Sequence, residues 1–420
     1  MKKIVFISLI LSVVLFSSAQ DLAYVRSIDS TLSSPQFNGR GYVDKGEKMA
    51  AAYLSDQLKS FGIQEFTKDY YQPFTFSINT IQSQEVKIDN LDLSAGDQYL
   101  VFSNSPSVKG SFPIVYLPDS LFDDEEAVAK FLSNPQLKYS FILTEKRFSF
   151  LKFQEDFPAK GLIYRSDKKL FWHVSKARVQ AKFTVIEVID SLVSPKSSTI
   201  NINVKSKYLK KYNARNVIGY TKGKLYPDSF IVFTAHFDHL GKMGTDVYFP
   251  GANDNASGVS LILDLARHFS QPANQPDYSV VYALVSAEEV GLLGSFYLVD
   301  HPLFPLENIS SVINLDMVGT GSEGIAVINA RIFPQIYKRL SEINAAENYL
   351  VEVKERGESC NSDHCAFYKK GIPSVFIHTM GKENVEYHTI TDTYSRMTFT
   401  DYEDLFRLLR DYINQPLCQD

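Results

Sequence analysis

From about residue 216 onward, short and almost wholly apolar runs alternate with segments of helical spacing. The clearest apolar runs cover residues 230–235, 280–285, 311–315 and 374–377. Residues 256–269 and 333–345, which lie between these runs, have the apolar periodicity of helices. Strands that are apolar on both faces occur in sheets with helices on both sides. The pattern therefore predicts an α/β fold with a mixed, mostly parallel sheet sandwiched by helices.

The composition is that of a globular protein with a substantial core. Of the 420 residues, 45% are hydrophobic and 22% are charged, and this length predicts two or three domains. The formal net charge is -5, whereas a protein that binds nucleic acid usually presents a basic surface. We therefore expect no nucleic-acid partner. Composition does not indicate an oligomeric state.

The first residues have the three parts of a secretory signal. Two lysines precede an apolar run over residues 4–16, and three small residues that end at Ala19 supply a cleavage site. Residues 1–19 are therefore predicted to be a signal peptide. About 13 apolar residues are too few to span a bilayer comfortably, so no stable membrane anchor is expected. We expect an exported protein, periplasmic or secreted, and the short two-lysine start is typical of bacteria.

The residues before the α/β region divide into two parts. Residues 20–81 contain an amphipathic stretch and are predicted to form an N-terminal helical segment, which packs on an α/β domain over residues 206–420. Residues 82–205 hold short β-type runs separated by Pro, Asp and Ser, which predicts an inserted β-rich subdomain. The basic stretch from Lys205 to Arg215 is expected to be a solvated connector.

The three cysteines, Cys360, Cys365 and Cys418, are too few for a disulfide framework. In an oxidising compartment, Cys360 and Cys365 could close a small loop. Their spacing lacks the paired CxxC of a structural zinc site, so such a site is not expected.

Acidic residues and histidines follow several of the apolar runs, where an open α/β sheet forms its ligand sites. They are His236 and Asp238 after the first run, Glu288 and Glu289 after the second, Asp316 after the third, Asp254 in a loop that opens a helix, and His388 late in the chain. Each alone has an ordinary alternative, such as a core histidine, a helix cap or a solvated acidic pair. Asp316 is harder to explain in this way, because a buried acid at a strand end needs a cation or strong donors.

The residue types in this set suit a metal site. Zinc at catalytic sites binds histidine nitrogens and carboxylate oxygens and keeps a position for water. Two zinc ions can share one carboxylate, so two histidines and three carboxylates are enough for two ions with one bridge. Glu288, next to Glu289, could then accept the proton of the water and pass it to a leaving amine. From spacing alone, a metal site and a set of structural residues both remain open.

Five motifs follow one another in the C-terminal half of the chain. They are His236-x-Asp238, Asn253-Asp254-Asn255-Ala256-Ser257-Gly258, Glu288-Glu289-x-Gly291-Leu292-x-Gly294-Ser295, Asn314-x-Asp316-Met317 and Tyr387-His388-x-x-x-Asp392. In this order, over residues 216–415, they resemble the motifs of the co-catalytic zinc exopeptidases, which include secreted bacterial leucyl aminopeptidases and glutamate carboxypeptidase II. A further similarity to this family lies in Ser34-Pro35 and Gly39-Arg40. The resemblance implies a phosphorylase/hydrolase-like fold, and residues 82–205 lie where many relatives carry a protease-associated β domain.

The resemblance also implies two Zn²⁺ ions per chain. Their ligands would be His236, Asp254, Glu289, Asp316 and His388. Asp254 would bridge the two ions. His236 and Asp316 would complete the site of one ion, and Glu289 and His388 would complete the site of the other.

Other residues receive roles around these ligands. Glu288 matches the general base of the family, and Asp238 matches the acid that orients the metal-bound histidine. Asp392 could orient His388 in the same way. His239 is expected to be structural, and His173, which lies outside every motif, receives no role.

The activity that the resemblance implies is removal of N-terminal residues from peptides by a zinc aminopeptidase. Glutaminyl cyclisation is an alternative, although relatives that perform it use one zinc ion. Carboxypeptidase action would need a basic pocket for a C-terminal carboxylate. A binding protein on a retired peptidase fold would usually lack metal ligands, and here the whole set is present. A serine hydrolase is not supported, because the chain has no GxSxG motif.

Overall fold

The computed structural model describes residues 21–145, 157–383 and 385–414. The predicted signal peptide, residues 1–19, and Cys418 lie outside the described residues. The helices are α1 (Leu22–Leu32), α2 (Gly46–Ser60), α3 (Glu125–Leu132), α4 (Ser257–Phe269), α5 (Leu293–Asp300), α6 (Pro334–Glu347), α7 (His364–Tyr368) and α8 (Tyr402–Asn414).

The strands fall into an N-terminal and a C-terminal series. The N-terminal strands are β1 (Gln64–Glu65), β2 (Tyr71–Ile88), β3 (Leu91–Asp92), β4 (Tyr99–Val101), β5 (Val108–Tyr116), β6 (Phe141–Thr144), β7 (Gly161–Ser166), β8 (Thr184–Ile189) and β9 (Thr199–Thr221). The C-terminal strands are β10 (Tyr226–His236), β11 (Gly241–Met243), β12 (Val247–Phe249), β13 (Tyr278–Val285), β14 (Ile309–Leu315), β15 (Ile325–Ile328), β16 (Val353–Glu355) and β17 (Ser374–Thr379).

A central mixed sheet lies in the C-terminal half, with the strand order β16-β15-β17-β14-β10-β13-β9. β10 runs parallel to β13 and to β14, and β14 runs parallel to β17. β9 and β15 run antiparallel to β13 and β17, respectively. The parallel strands follow one another through helices, because a parallel pair needs a crossover connection. The predicted mixed, mostly parallel sheet is confirmed.

Helices cover both faces of this sheet, which explains why its strands are apolar throughout. Ile231 and Phe233 of β10 pack in one cluster with residues of α1, α2, α4, α6 and α8. Phe230 and Val232, which alternate with them, pack on the opposite face with residues of α5 and α7. Since successive side chains of a strand point to opposite faces, both sets of positions must be apolar.

A long antiparallel ribbon of β2 and β9 joins the central sheet to a second sheet. The pairing runs from Tyr71 opposite Val217 to Ile88 opposite Ile200, and the far end of β9 pairs with β13. The predicted domain boundaries at residues 81/82 and 205/206 therefore fall inside strands.

The expectation of a solvated connector from Lys205 to Arg215 was wrong, because the whole stretch lies within β9. Tyr212 and Ala214 of this stretch point inward and are buried, while its four lysines are exposed. A strand with one buried face tolerates a basic outer face. The high charge of the stretch therefore hid the alternation of buried and exposed residues that is typical of a strand.

The region predicted as a β-rich insertion contains the second sheet, in the order β5-β6-β7-β8-β4. Its neighbours from β5 to β8 are parallel, and β4 is antiparallel to β8. Its core includes Phe141, Leu143, Ile163 and Ile186, all fully buried.

Cys360 and Cys365 form a disulfide.

Among the helices of the described residues, none is both long enough and apolar enough to cross a membrane.

Residues 35–41 pass very close to the segment that follows β10. A Cβ atom on Gly41 would lie 2.3 Å from the Cα atom of Gly241 and 2.8 Å from its nitrogen. Both neighbouring atoms belong to the backbone, so displacing them would cost free energy. This approach brings the N-terminal segment against the edge of the central sheet where β10 ends, so it bears on the site described below.

We predict that Gly41→Ala lowers the free energy of unfolding by about 1–3 kcal/mol, the usual cost of forced overpacking. The measurement is the shift of the urea unfolding midpoint followed by circular dichroism. Gly357→Ala is the matched control, since a Cβ atom there meets nothing within 4 Å. Equal effects of the two substitutions would contradict the tight approach.

Candidate metal centre

The parallel strands bring several predicted residues to one edge of the central sheet. His236 is the last residue of β10 and lies opposite Val285, the last residue of β13. Asp316 directly follows β14, which pairs in parallel with the same strand β10. Glu289 lies four residues beyond the end of β13. Because parallel strands end at the same edge of a sheet, side chains distant in sequence meet there.

The five predicted ligands form two groups that share Asp254. Nε2 of His236 lies 3.4 Å from Oδ1 of Asp254 and 3.4 Å from Oδ1 of Asp316. Nε2 of His388 lies 3.2 Å from Oδ2 of Asp254 and 3.2 Å from Oε2 of Glu289. Asp254 thus directs one carboxylate oxygen to each group. All five side chains are buried or nearly so.

These distances and donor types fit zinc. With zinc–ligand bonds of about 2.0–2.1 Å, two ligand atoms of a tetrahedral site lie roughly 3.3 Å apart. The measured separations between nitrogen and oxygen atoms, 3.2 to 3.4 Å, match that value. Three carboxylates packed together away from water would also be costly without a cation. The two groups could therefore each hold one metal ion.

The carboxylates impose a strong preference for positive charge at this edge. Burial lowers the pKa of His388, but the charge of Glu289 and the contacts with Asp254 outweigh burial and raise this pKa to about 11. For Glu289 burial raises the pKa, yet the charge of His388 outweighs it and holds the pKa well below its usual value. The same negative surroundings would attract a divalent cation.

Glu288 lies beside these groups without belonging to either. Burial raises its pKa well above the ordinary value; His236 opposes this effect and the charge of Glu289 adds to it. Its side chain lines a cavity of about 290 Å³ that Glu289, His388 and His173 also line. A carboxylate in this position can face a molecule in the cavity while its neighbour Glu289 points to the second group.

Asp238 contacts both His236 and Glu288, but not as predicted. Nδ1 of His236 is 3.0 Å from the main-chain oxygen of Asp238 and 3.9 Å from its carboxylate. The carboxylate instead accepts hydrogen bonds from the hydroxyl of Tyr42 at 2.9 Å and from the main-chain N–H of Glu288 at 3.1 Å. The main chain of Asp238 therefore orients the imidazole, and its side chain holds the Glu288 segment.

Asp392 does not contact His388 in the way that the spacing of the last motif suggested. Its two oxygens accept hydrogen bonds from the main-chain N–H groups of Asn253 at 3.0 Å and Asp254 at 3.1 Å. Asp392 thereby fixes the loop that carries Asp254. Both peptide groups are buried, and each would otherwise lack this charged acceptor.

Arg40 fixes the same loop from the other side. Its buried guanidinium donates to the carbonyl oxygens of Phe237 at 2.8 Å, Pro250 at 2.7 Å, Gly251 at 2.8 Å and Asp254 at 3.2 Å. The sequence indicated Arg40 only as part of a weak motif. Its acceptors are main-chain atoms, which have no signature in the sequence.

The β-rich region contributes residues that the sequence did not indicate. Nδ1 of His173 lies 3.0 Å from Nδ1 of His388, and the main-chain N–H of Trp172 donates to the carbonyl oxygen of His388 at 3.0 Å. Lys169 forms an ion pair with Glu386. The nitrogen of His388 that faces Asp254 and Glu289 is the other one, so His173 can orient the ring from behind. Contacts between segments 215 positions apart could not be predicted from one sequence.

The segment around Ser362 supports the first group. The hydroxyl of Ser362 donates to Oδ2 of Asp316 at 2.8 Å and accepts from the amide of Asn314 at 2.7 Å. His364 is also buried, but its Nε2 lies 2.9 Å from the carbonyl oxygen of Ser359, outside both groups.

Comparison with known families and proteins gives a consistent result. The pattern of the family described as Peptidase family M28 matches residues 216–413. Aminopeptidase YwaD of Bacillus subtilis (strain 168) is 32% identical over 212 residues, which are 49% of this chain and 44% of that protein. A probable zinc metalloprotease of Pyricularia oryzae is 37% identical over 113 residues, which are 26% of this chain and 22% of that protein. The matches span less than half the length of these curated relatives.

Solved structures show the same fold over nearly the whole chain. A Peptidase M28 precursor from Shewanella amazonensis SB2B has a TM-score of 0.71 and 18% identity, covering 96% of this chain and 97% of that chain. An aminopeptidase from Aneurinibacillus sp. strain AM-1 has a TM-score of 0.67 and 21% identity, covering 96% of both chains. The family match spans every residue of the two groups. Over residues 216–413 the chain is similar to peptidase family M28, in agreement with the resemblance of its motifs to the co-catalytic zinc exopeptidases.

Proposed function

We propose that this protein is a zinc aminopeptidase that binds two zinc ions and removes N-terminal residues from peptides. The observation that carries the proposal is the position of Asp254, which directs one oxygen to His236 and Asp316 and the other to Glu289 and His388. A carboxylate shared in this way suits a pair of metal ions. In support, Aminopeptidase YwaD is among the relatives of the chain.

In this proposal the two groups would hold zinc ions, which would supply Lewis acidity toward the scissile carbonyl and toward water when bound. Glu288, at the wall of the cavity, accepts a proton from the attacking water at its carboxylate and transfers it to the leaving amine. Asp238 holds the main chain of Glu288, and this contact keeps the base next to the metal groups.

We further propose that the mature protein acts outside the cytoplasm. The support is the charged, apolar and small-residue order of residues 1–19. The disulfide between Cys360 and Cys365 is compatible with an oxidising compartment.

We predict that Glu288→Gln lowers kcat by about 100-fold to 10,000-fold, because the amide cannot accept and return the proton. Zinc content should stay unchanged. The measurements are release of amino acids from a free-amino dipeptide and elemental analysis of the same sample. Glu307→Gln, at an exposed position, should behave like wild type. Substantial activity of Glu288→Gln would exclude Glu288 as the base.

We predict that Asp254→Asn weakens zinc binding at both groups, whereas Asp316→Asn weakens it at the first group only. The reason is that only Asp254 contributes to both. Elemental analysis after dialysis against a weak chelator gives the counts, and unfolding temperatures test the fold. Asp264→Asn is the control, since Asp264 is equally buried but belongs to neither group. Two zinc ions retained by Asp254→Asn would contradict the shared carboxylate.

We predict that cleavage requires a free amino terminus. A tripeptide with free termini and its C-terminally amidated form should both be cleaved, its N-acetylated form should resist, and a chelator should abolish cleavage until zinc is restored. Chromatography of the products shows which residue is released. Release from the C-terminus would favour a carboxypeptidase, and pyroglutamate formation from a glutaminyl peptide without hydrolysis would favour a cyclase.

A further inference from the structure

His239 lies against the second group although no motif assigned it a metal. Its side chain is completely buried, and neither ring nitrogen has a hydrogen-bond partner among the described residues. Nδ1 lies 2.8 Å from Oε1 of Glu289 and 3.8 Å from Oδ2 of Asp254. A buried polar atom without a partner costs about 1–3 kcal/mol, so the ring needs an interaction that the protein atoms alone do not supply.

The contact between His239 and Glu289 is close but is not aligned as a hydrogen bond. Oε1 of Glu289 also lacks a hydrogen-bond partner of acceptable geometry in the described part of the chain. A nitrogen and a carboxylate oxygen that lie side by side without a hydrogen bond between them can both bind one ion, and their 2.8 Å separation would widen toward the roughly 3.3 Å between two ligands of a tetrahedral zinc site. The other oxygen of Glu289 has a similar relation to Nε2 of His388 at 3.2 Å.

Packing holds the His239 ring in this position. A Cβ atom on Gly251 would lie 2.4 Å from Cδ2 and 2.6 Å from Cγ of His239, so the ring lies directly on the glycine backbone. The main-chain N–H of His239 points to the carbonyl oxygen of Arg40 at 3.4 Å, and Arg40 binds the loop of Gly251 and Asp254. The imidazole therefore has a fixed direction before any ion binds.

We propose that Nδ1 of His239 is an additional protein ligand of the metal ion held by Glu289 and His388. This inference rests on the proposed metal function and extends its ligand set. The second group then has four protein ligands, namely His239, Asp254, Glu289 and His388. The first group has three, which leaves one position free as in catalytic zinc sites. The two ions differ accordingly: the second is bound more tightly, and the first exchanges more readily.

X-ray absorption at the zinc edge of the intact two-zinc protein tests the ligand directly. The outer-shell scattering should fit three imidazoles for two zinc ions, from His236, His239 and His388. In His239→Ala it should fit only two histidine ligands in total, at full zinc loading. In competition with a chromophoric chelator, the dissociation constant of the more tightly bound zinc ion should rise by more than about 100-fold in His239→Ala. That loss exceeds the 10- to 100-fold typical of a residue that only orients a ligand.

His364→Ala is the matched control, because His364 is as deeply buried as His239 but lies outside both groups. It should keep three imidazoles and both affinities, and unfolding temperatures show whether each variant is folded. Two imidazoles for two zinc ions in the wild-type protein would overturn the inference and leave the proposed function standing. Conversely, a wild-type protein that binds a single zinc through two imidazoles, including that of His239, would overturn the two-metal function but not the role of His239.

Discussion

The buried carboxylate of Asp254 is the group on which the rest of the site depends, because its two oxygens face two different clusters of predicted ligands. Such an arrangement requires the carboxylate to stay in one orientation. Its main chain is bound on both sides, with its N–H donating to Asp392 and its carbonyl oxygen accepting from Arg40. The N-terminal segment that carries Arg40 is therefore part of the machinery of the site, although it lies outside the matched family region.

The β-rich region has a similar relation to His388. Trp172 and His173 bind this residue at its main chain and at its ring, and the ribbon of β2 and β9 ties the region to the central sheet. A histidine on a loop has more freedom than one at a strand end, such as His236. The contacts from the β-rich region supply the constraint that the loop itself lacks. This region thus bears directly on the geometry of the site and on the wall of the cavity in front of it.

Several differences between expectation and structure have a common physical origin. The carboxylates of Asp238 and Asp392 are bound to main-chain N–H groups, and motif spacing says nothing about main-chain partners. The stretch from Lys205 to Arg215 forms a strand because its inward residues are buried, although its charge suggested a connector. His239 directly follows the first motif and was expected to be structural; its ring lies beside Glu289 of the second group, and this contact is the basis of the additional ligand proposed above.

The sequence by itself determined the class of the central sheet and the residue types at its edge. Apolar runs on both faces of a strand demand covering helices, and parallel strands bring the residues that follow them to one edge. Local sequence could carry that information because each run and each motif is contiguous. The tertiary structure decided which oxygen of Asp254 faces which histidine, and that Arg40, His173 and His239 join the site. Those contacts depend on how distant segments pack, and packing between segments leaves no periodic trace in a single sequence.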